Sequence, residues 1–318
     1  MRIISPLIFL LVLKLNAFSM SPSFPVDSAI NSPLKLQIGL GTVNYLGDLS
    51  FVSKITSPKV FITNIRHSAS LSLSKKFKFG PDFHATYYYA RLYGDDYTWA
   101  QKNFDIYWQR FVRNLHFRND IHVISWRVSQ EIFPRKRTGL SLGSGFSWIL
   151  SNPKASKRIN DDSIEWFELR PLHTSGQNYN YSKWLMGIPL FGDFKFKVNK
   201  KLEIGLTLNY RFVLSDWIDD VGFANYPNFK SLEKQYGQES VFFSYRSKEV
   251  INSPSGSTRI PVLAKIYEEY SLGRYKDSIS ISELIDKIGY NPYENSILRG
   301  HPKNDRFYTL QFKFKYSF

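Results

Sequence analysis

From Leu202 to Leu214 every second residue is apolar or aromatic: Leu202, Ile204, Leu206, Leu208, Tyr210, Phe212 and Leu214 fall on one side, and Glu203, Thr207, Asn209 and Arg211 on the other. Successive side chains of an extended strand point to opposite faces, so this period marks a β-strand with one greasy and one polar face. The pattern returns at the end of the sequence, where Tyr308, Leu310, Phe312, Phe314, Tyr316 and Phe318 share one face opposite Thr309, Gln311, Lys313, Lys315 and Ser317. Two-faced strands of about ten residues suit a tilted bilayer crossing better than a soluble sandwich, whose outward face is polar.

Weaker segments of the same kind run over 34–45, 68–77, 82–92, 115–128, 138–150 and 183–197. With the two above, the expected fold is all-β: a single antiparallel up-and-down transmembrane β-barrel of about eight strands. Its links alternate in length. Those at 78–81, 134–137 and 199–201 are short, and those at 47–67, 93–114, 151–182 and 215–304 are long. Short periplasmic turns, long extracellular loops and both termini in the periplasm follow from that order. The last long loop, 215–303, is expected to carry structure of its own, and Ser280 to Glu283 has capping-box spacing ahead of Leu284, Ile285 and Ile288, with Gly289 as a stop. A terminal aromatic such as Phe318 is similar to the signal that such barrels present to their assembly machinery.

Arg2, the apolar run Ile3 to Leu13, and the small residues Ala17 and Ser19 have the order of a secretory signal. Cleavage is expected after Ser19, leaving 20–318 as an outer-membrane barrel domain. Loss of Arg2 and Lys14 with the signal lowers the formal charge from +15 to +13. A basic chain of this kind is compatible with nucleic acid, anionic lipid or acidic protein, and export makes nucleic acid the least suitable partner. With no cysteine, disulfides play no part, and the 17% of aromatic residues fits interfacial girdles.

Several strings sit at strand ends: Asn44-Tyr45-Leu46-Gly47-Asp48-Leu49, then Arg113-Asn114-Leu115-His116-Phe117-Arg118-Asn119-Asp120 and Asn152-Pro153-Lys154-Ala155. They continue with Leu169-Arg170-Pro171-Leu172-His173-Thr174-Ser175-Gly176-Gln177, Asp216-Trp217-Ile218-Asp219-Asp220-Val221, Arg299-Gly300 and Asn304-Asp305. In this order they resemble the PorG-like outer-membrane barrels of Bacteroidota, which are associated with type IX secretion and gliding, and the resemblance spans nearly all of the mature chain. It departs at His173 and Ser175, where a glycine and an acidic residue would be expected. The resemblance implies a non-enzymatic subunit without cofactor, embedded in outer-membrane lipid and contacting periplasmic ring or lipoprotein components of the machinery.

Read from the residues alone, these strings fix strand exits: Gly47 and Gly300 admit backbone conformations closed to other residues, and the neighbouring Asp and Asn bond loop backbone. Asp216, Asp219 and Asp220 could instead hold a divalent cation. Arg118, Asp120 and His122 share one face of the fourth strand, opposite Phe117, Ile121 and Val123. His beside Asp raises the question of catalysis, and an enzyme or a small ligand- or lipid-binding barrel is the alternative reading of the whole chain. An eight-stranded interior holds little beyond side chains, so a lumenal charge network with Glu203 and Arg211 is the simpler expectation, and the strand number argues against a diffusion pore. The three short turns are basic, with Lys75, Lys76 and Lys78 at the first, Arg135, Lys136 and Arg137 at the second, and Lys197, Lys200 and Lys201 at the third. They suit lipid phosphates or an acidic periplasmic partner.

Overall fold

The computed structural model describes residues 32–50, 65–77, 80–96, 113–134, 137–160, 163–222, 226–246, 272, 299–300 and 304–318. The expected signal segment, Lys78, Arg135, Lys136 and the expected helix after Ser280 lie outside them. In chain order the strands are β1 (Lys35–Leu46), β2 (Arg66–Lys76), β3 (Asp82–Asp95), β4 (His116–Pro134), β5 (Thr138–Leu150), β6 (Lys154–Asn160), β7 (Ser163–Glu168), β8 (Trp184–Lys197), β9 (Leu202–Val213) and β10 (Arg306–Ser317). Two short helices, α1 (Phe229–Tyr236) and α2 (Gln238–Ser244), lie between β9 and β10.

Eight strands close on themselves in the order β3-β2-β1-β10-β9-β8-β5-β4, and β4 pairs back to β3. Every one of these pairings is antiparallel. Closure leaves no open edge, which is the condition for a sheet to stand in hydrocarbon. Alternation then sorts the side chains in the sense opposite to a soluble protein. Leu40, Leu73, Trp126, Trp148, Leu208, Phe312 and Phe314 are exposed on the outer wall, whereas Ser72, Ser125, Arg127, Glu203 and Arg211 are buried inside.

The lumen is filled by polar groups that bond one another across strands. Ser72 meets Thr86 at 2.8 Å, Ser125 meets Ser147 at 2.8 Å, and Gln311 accepts from Ser70 at 2.9 Å. Lys313 pairs with Asp193 at 2.5 Å, and the Arg211 guanidinium lies 5.1 Å from the ring centres of both Tyr88 and Phe307. Apolar residues collect at the extracellular end, where Tyr45, Leu49, Leu92, Phe117, Ile149, Val213, Ile218 and Phe307 form a buried cluster.

The strands fall within a few residues of the sequence expectation, with two differences. The 151–182 link carries the β6–β7 hairpin, joined to β4 through Arg118 and Lys154. Its strands are short, and Lys154–Asn160 shows little apolar alternation. Arg118, Asp120 and His122 face outward and not into the lumen, because the parity of β4 places Phe117, Asn119, Ile121 and Val123 inside. On the outer wall Asp120 accepts from Arg91 at 2.6 Å and Tyr89 at 3.1 Å, and His122 bonds the Tyr87 hydroxyl at 2.7 Å. Glu203 and Arg211 do lie inside, but no ion pair joins them: Glu203 meets Lys35 at 3.8 Å, and Arg211 meets Ser125 at 3.4 Å and the two rings, while those three residues lie on the outer wall.

Candidate functional site: a buried polar cap and a basic mouth

All four long links meet over the extracellular end of the barrel. Tyr45, at the end of β1, donates its hydroxyl to the Asp305 carboxylate. The other oxygen of Asp305 accepts from the Ile218 amide at 2.9 Å, so one carboxylate ties the first strand, the exit of β9 and the entry of β10. Asp219 accepts from the Val221 amide at 2.9 Å and the Leu49 amide at 3.3 Å, fastening the first long link to the last.

Two buried arginines complete the cap. Arg113 grips Asp96 with a two-pronged pair of 2.6 and 2.7 Å, and it also donates to the Arg299 and Asp48 carbonyl oxygens. Arg299 donates to the Asp220 carbonyl oxygen at 2.8 Å, to Thr174 at 2.9 Å and to Ser175, with the Asp220 carboxylate 4.0 Å away. Asp220 in turn accepts from Tyr181 at 2.7 Å and from Thr174. Each guanidinium thus meets both carboxylate and carbonyl acceptors, the condition under which a buried charge is tolerated.

The two glycines act through close packing. Neither Gly47 nor Gly300 has a positive φ, contrary to the sequence reading. A Cβ on Gly47 would run into the Tyr45 hydroxyl, and one on Gly300 would stand 2.6 Å from Asp48 Oδ2 and 2.7 Å from the Gly222 carbonyl. Gly176 and Gln177 close the turn beneath: Gly176 N donates to the His173 carbonyl at 2.7 Å, and Gln177 Oε1 accepts from Ser175 N at 3.1 Å.

His173 and Ser175 have structural roles of their own. His173 holds a left-handed φ of 50°, the backbone that glycine takes without strain, and its ring stacks on Tyr236 at 4.1 Å. Ser175 sits against Arg299, where an acidic side chain would form an ion pair.

Burial of so many carboxylates raises their proton affinity. Asp219 is pushed up to about 7, first by burial and then by repulsion from Asp48. Asp305 is raised well above the usual carboxylate range by burial and by the neighbouring charges of Asp219 and Asp216. Asp220 is raised by burial against the opposing pull of Arg299.

The structure therefore brings Tyr45, Gly47, Asp48, Arg113, Gly176, Gln177, Asp216, Asp219, Asp220, Arg299, Gly300 and Asp305 into the cap. Asn44 instead bonds Tyr308 at 2.9 Å, Asn304 is exposed, and Arg118 lies over the Trp166 ring on the outer wall. The three loop carboxylates do not converge on a cation, since Asp219 and Asp220 are turned to different partners. Among the described residues no group of three or more acidic or imidazole side chains is placed to hold a metal.

Sequence reasoning missed Asp96 and Tyr181, which carry no spacing signal of their own, and it named Thr174 and Ser175 only as members of a string, without their bonds to Arg299. It also missed Arg246, which donates to the Ser156 carbonyl at 2.7 Å and joins α2 to the hairpin. Asn228, in the sequence Asn-Phe-Lys-Ser, does have a readable signal: it caps α1 by accepting from Ser231 N at 3.0 Å.

At the opposite end the barrel opens into a recess of about 550 Å³ lined by Lys35, Lys76, Arg137, Lys197, Lys200 and Glu203, together with Ser32 and Asn199. A smaller cavity lies above it in the lumen and is about 20 Å³, room for a single water.

A closed eight-stranded barrel with an apolar outer wall, a filled lumen and one sealed end is a transmembrane β-barrel of the outer-membrane type. No protein-family model and no curated protein matches this chain. Among solved structures it is similar to Neisserial surface protein A, at 8% identity and a TM-score of 0.38 over 90% of this chain and 97% of that one. The Ail attachment protein of Yersinia pestis shows 9% identity and a TM-score of 0.31 over 56% and 86% of the two chains. The N-terminal barrel domain of Pseudomonas aeruginosa OprF shows 7% identity and a TM-score of 0.28 over 89% and 97%.

Proposed function

We propose that this chain is a non-enzymatic structural subunit of the outer membrane, and that it belongs to a secretion or gliding apparatus of the type IX kind, where it meets periplasmic ring components. The observation that carries the structural role is the sealed extracellular end. Tyr45–Asp305, Leu49–Asp219, Arg113–Asp96 and the contacts of Arg299 with Asp220, Thr174 and Ser175 hold the described parts of the long links over the lumen, and the lumen below is filled with side chains. Such a barrel holds a shape and presents surfaces; it does not pass solutes.

The apparatus itself is supported by the motif resemblance, whose residues are largely those that build the cap. Two measurements test the reading. In planar bilayers the purified barrel is expected to give no steady conductance, and stable open steps would defeat the structural role. Deleting the gene in a gliding, type IX-secreting host is expected to stop cargo release, with ring components co-purifying with the wild-type barrel from solubilised outer membrane. Normal secretion in the deletion strain would remove the apparatus from the proposal.

A further inference from the structure

We propose that the periplasmic mouth of the barrel is a docking recess for an acidic polypeptide segment. This deepens the structural-subunit reading, on which it rests for the side of the membrane where the partner lies. The recess is lined by five cationic side chains around one carboxylate, Glu203, which Lys35 already approaches at 3.8 Å. Among the described residues Lys76, Arg137, Lys197 and Lys200 form no ion pair. Asp82, opposite Lys76 in the ladder, lines the smaller cavity above.

Strand parity separates this set from the lipid. Lys35 has the parity of buried Gln37, Lys76 that of buried Ser74, and Lys197 that of buried Asp193, so all three project toward the barrel axis. Lys75, by contrast, shares the outer face of exposed Leu73 and is placed to meet lipid phosphate. A concave wall lined by one sign of charge concentrates its potential in the hollow, where it draws an oppositely charged partner out of solution.

A volume of about 550 Å³ is far larger than one inorganic anion and falls in the range that holds several side chains. Four of the five cations are lysines, which act as separate point charges, whereas a single phosphate is better matched by the fork of arginine. Spread carboxylates on one chain answer that arrangement.

The test uses the full chain in nanodiscs of zwitterionic lipid and a fluorescein-labelled hexaglutamate peptide, read by anisotropy. Saturable binding that weakens as salt rises is expected, with hexaglutamine failing to bind. Reversing the mouth in K76E/R137E/K197E is expected to weaken binding by about tenfold or more, and neutralising it in K76Q/R137Q/K197Q by less. The outward reversal K75E should leave affinity within about twofold. Heat-modifiable migration checks that each variant is folded, and the salt titration of the wild type stands even if one is not.

Equal loss in K75E, no loss in the triple reversal, or no binding by the wild type overturns the proposal. So does displacement of the peptide by inorganic phosphate at matching concentration, or by anionic lipid added to the nanodisc, since each names another occupant. Peptide binding by the wild type together with normal secretion in the deletion strain would sink the apparatus reading and leave the recess standing.

Discussion

The two ends of this barrel use the same residue types under opposite physical conditions. At the extracellular end Arg113 and Arg299 are buried, and their acceptors are fixed within hydrogen-bonding reach. At the periplasmic end Lys76, Lys197 and Lys200 are exposed around an open recess. A buried charge that loses its partner costs about 3–5 kcal/mol, whereas an exposed cation contributes about 1 kcal/mol or less to stability. Charge at the cap therefore holds the structure together, and charge at the mouth is available for encounter. The contrast is one of burial, which the count of basic residues cannot reveal.

The largest effect should come from breaking a buried pair. Arg299→Met leaves Asp220 buried with its hydroxyl partners but without its counter-charge, and is expected to cost the cap about 3–5 kcal/mol. Hydrogen exchange over residues 214–222 should rise strongly while the barrel stays folded in detergent, judged by heat-modifiable migration. Wild-type protection in that variant would show that the loops are held by something other than Arg299.

Packing comes next. Gly300→Ala inserts a methyl 2.6 Å from Asp48 Oδ2, between loops that have no room to part, and should cost about 1–3 kcal/mol. Gly237→Ala is the useful control, because nothing lies within 4 Å of a Cβ there and only its φ of 88° is strained. Exchange over 214–222 should change in the first and not in the second.

The cap should also loosen as pH rises. Asp219 is held up to about 7 in the folded cap, above its ordinary value, so between those two values the folded state keeps a proton that the unfolded chain has released. Stability from this group is greatest at low pH and falls as pH climbs toward about 7, losing about 1 kcal/mol between roughly pH 6 and 8. Protection over 214–222 should decline across that window, and Asp219→Asn should flatten the slope whatever it does to the starting level. A cap that tightens with rising pH would contradict the assignment.

Most of the barrel was legible because period-two alternation is a local signal. Leu202 to Leu214 states its two faces without reference to any other strand. The cap was legible only as a set of strings: Tyr45 and Asp305 stand far apart in sequence, and nothing local says that one donates to the other. His122 shows the limit of parity. Its strand and its face-mates Arg118 and Asp120 were correct, but a polar row reads as lumenal unless the register with Tyr87 and Tyr89 of β3 is known. Asp96 belongs to no motif, and its importance comes from Arg113 reaching it through space; Ser175 stands in a string, but nothing in that string says that Arg299 donates to it.

The smallest effect on stability, and the sharpest test of the contrast between the ends, belongs to the mouth. Lys197→Gln removes one exposed cation from a rim that already carries an excess of positive charge. Its ammonium has no ion pair among the described residues, so its loss should relieve repulsion about as much as it forfeits attraction. A change of under about 0.5 kcal/mol in the unfolding free energy is expected. The Lys197 amide still donates to the Arg137 carbonyl at 2.7 Å whatever the side chain, which keeps the β5–β8 ladder closed at its periplasmic end. If Lys197→Gln instead destabilised the barrel as strongly as Arg299→Met destabilises the cap, charge at the mouth would be structural too. The division of labour between the two ends would then fail.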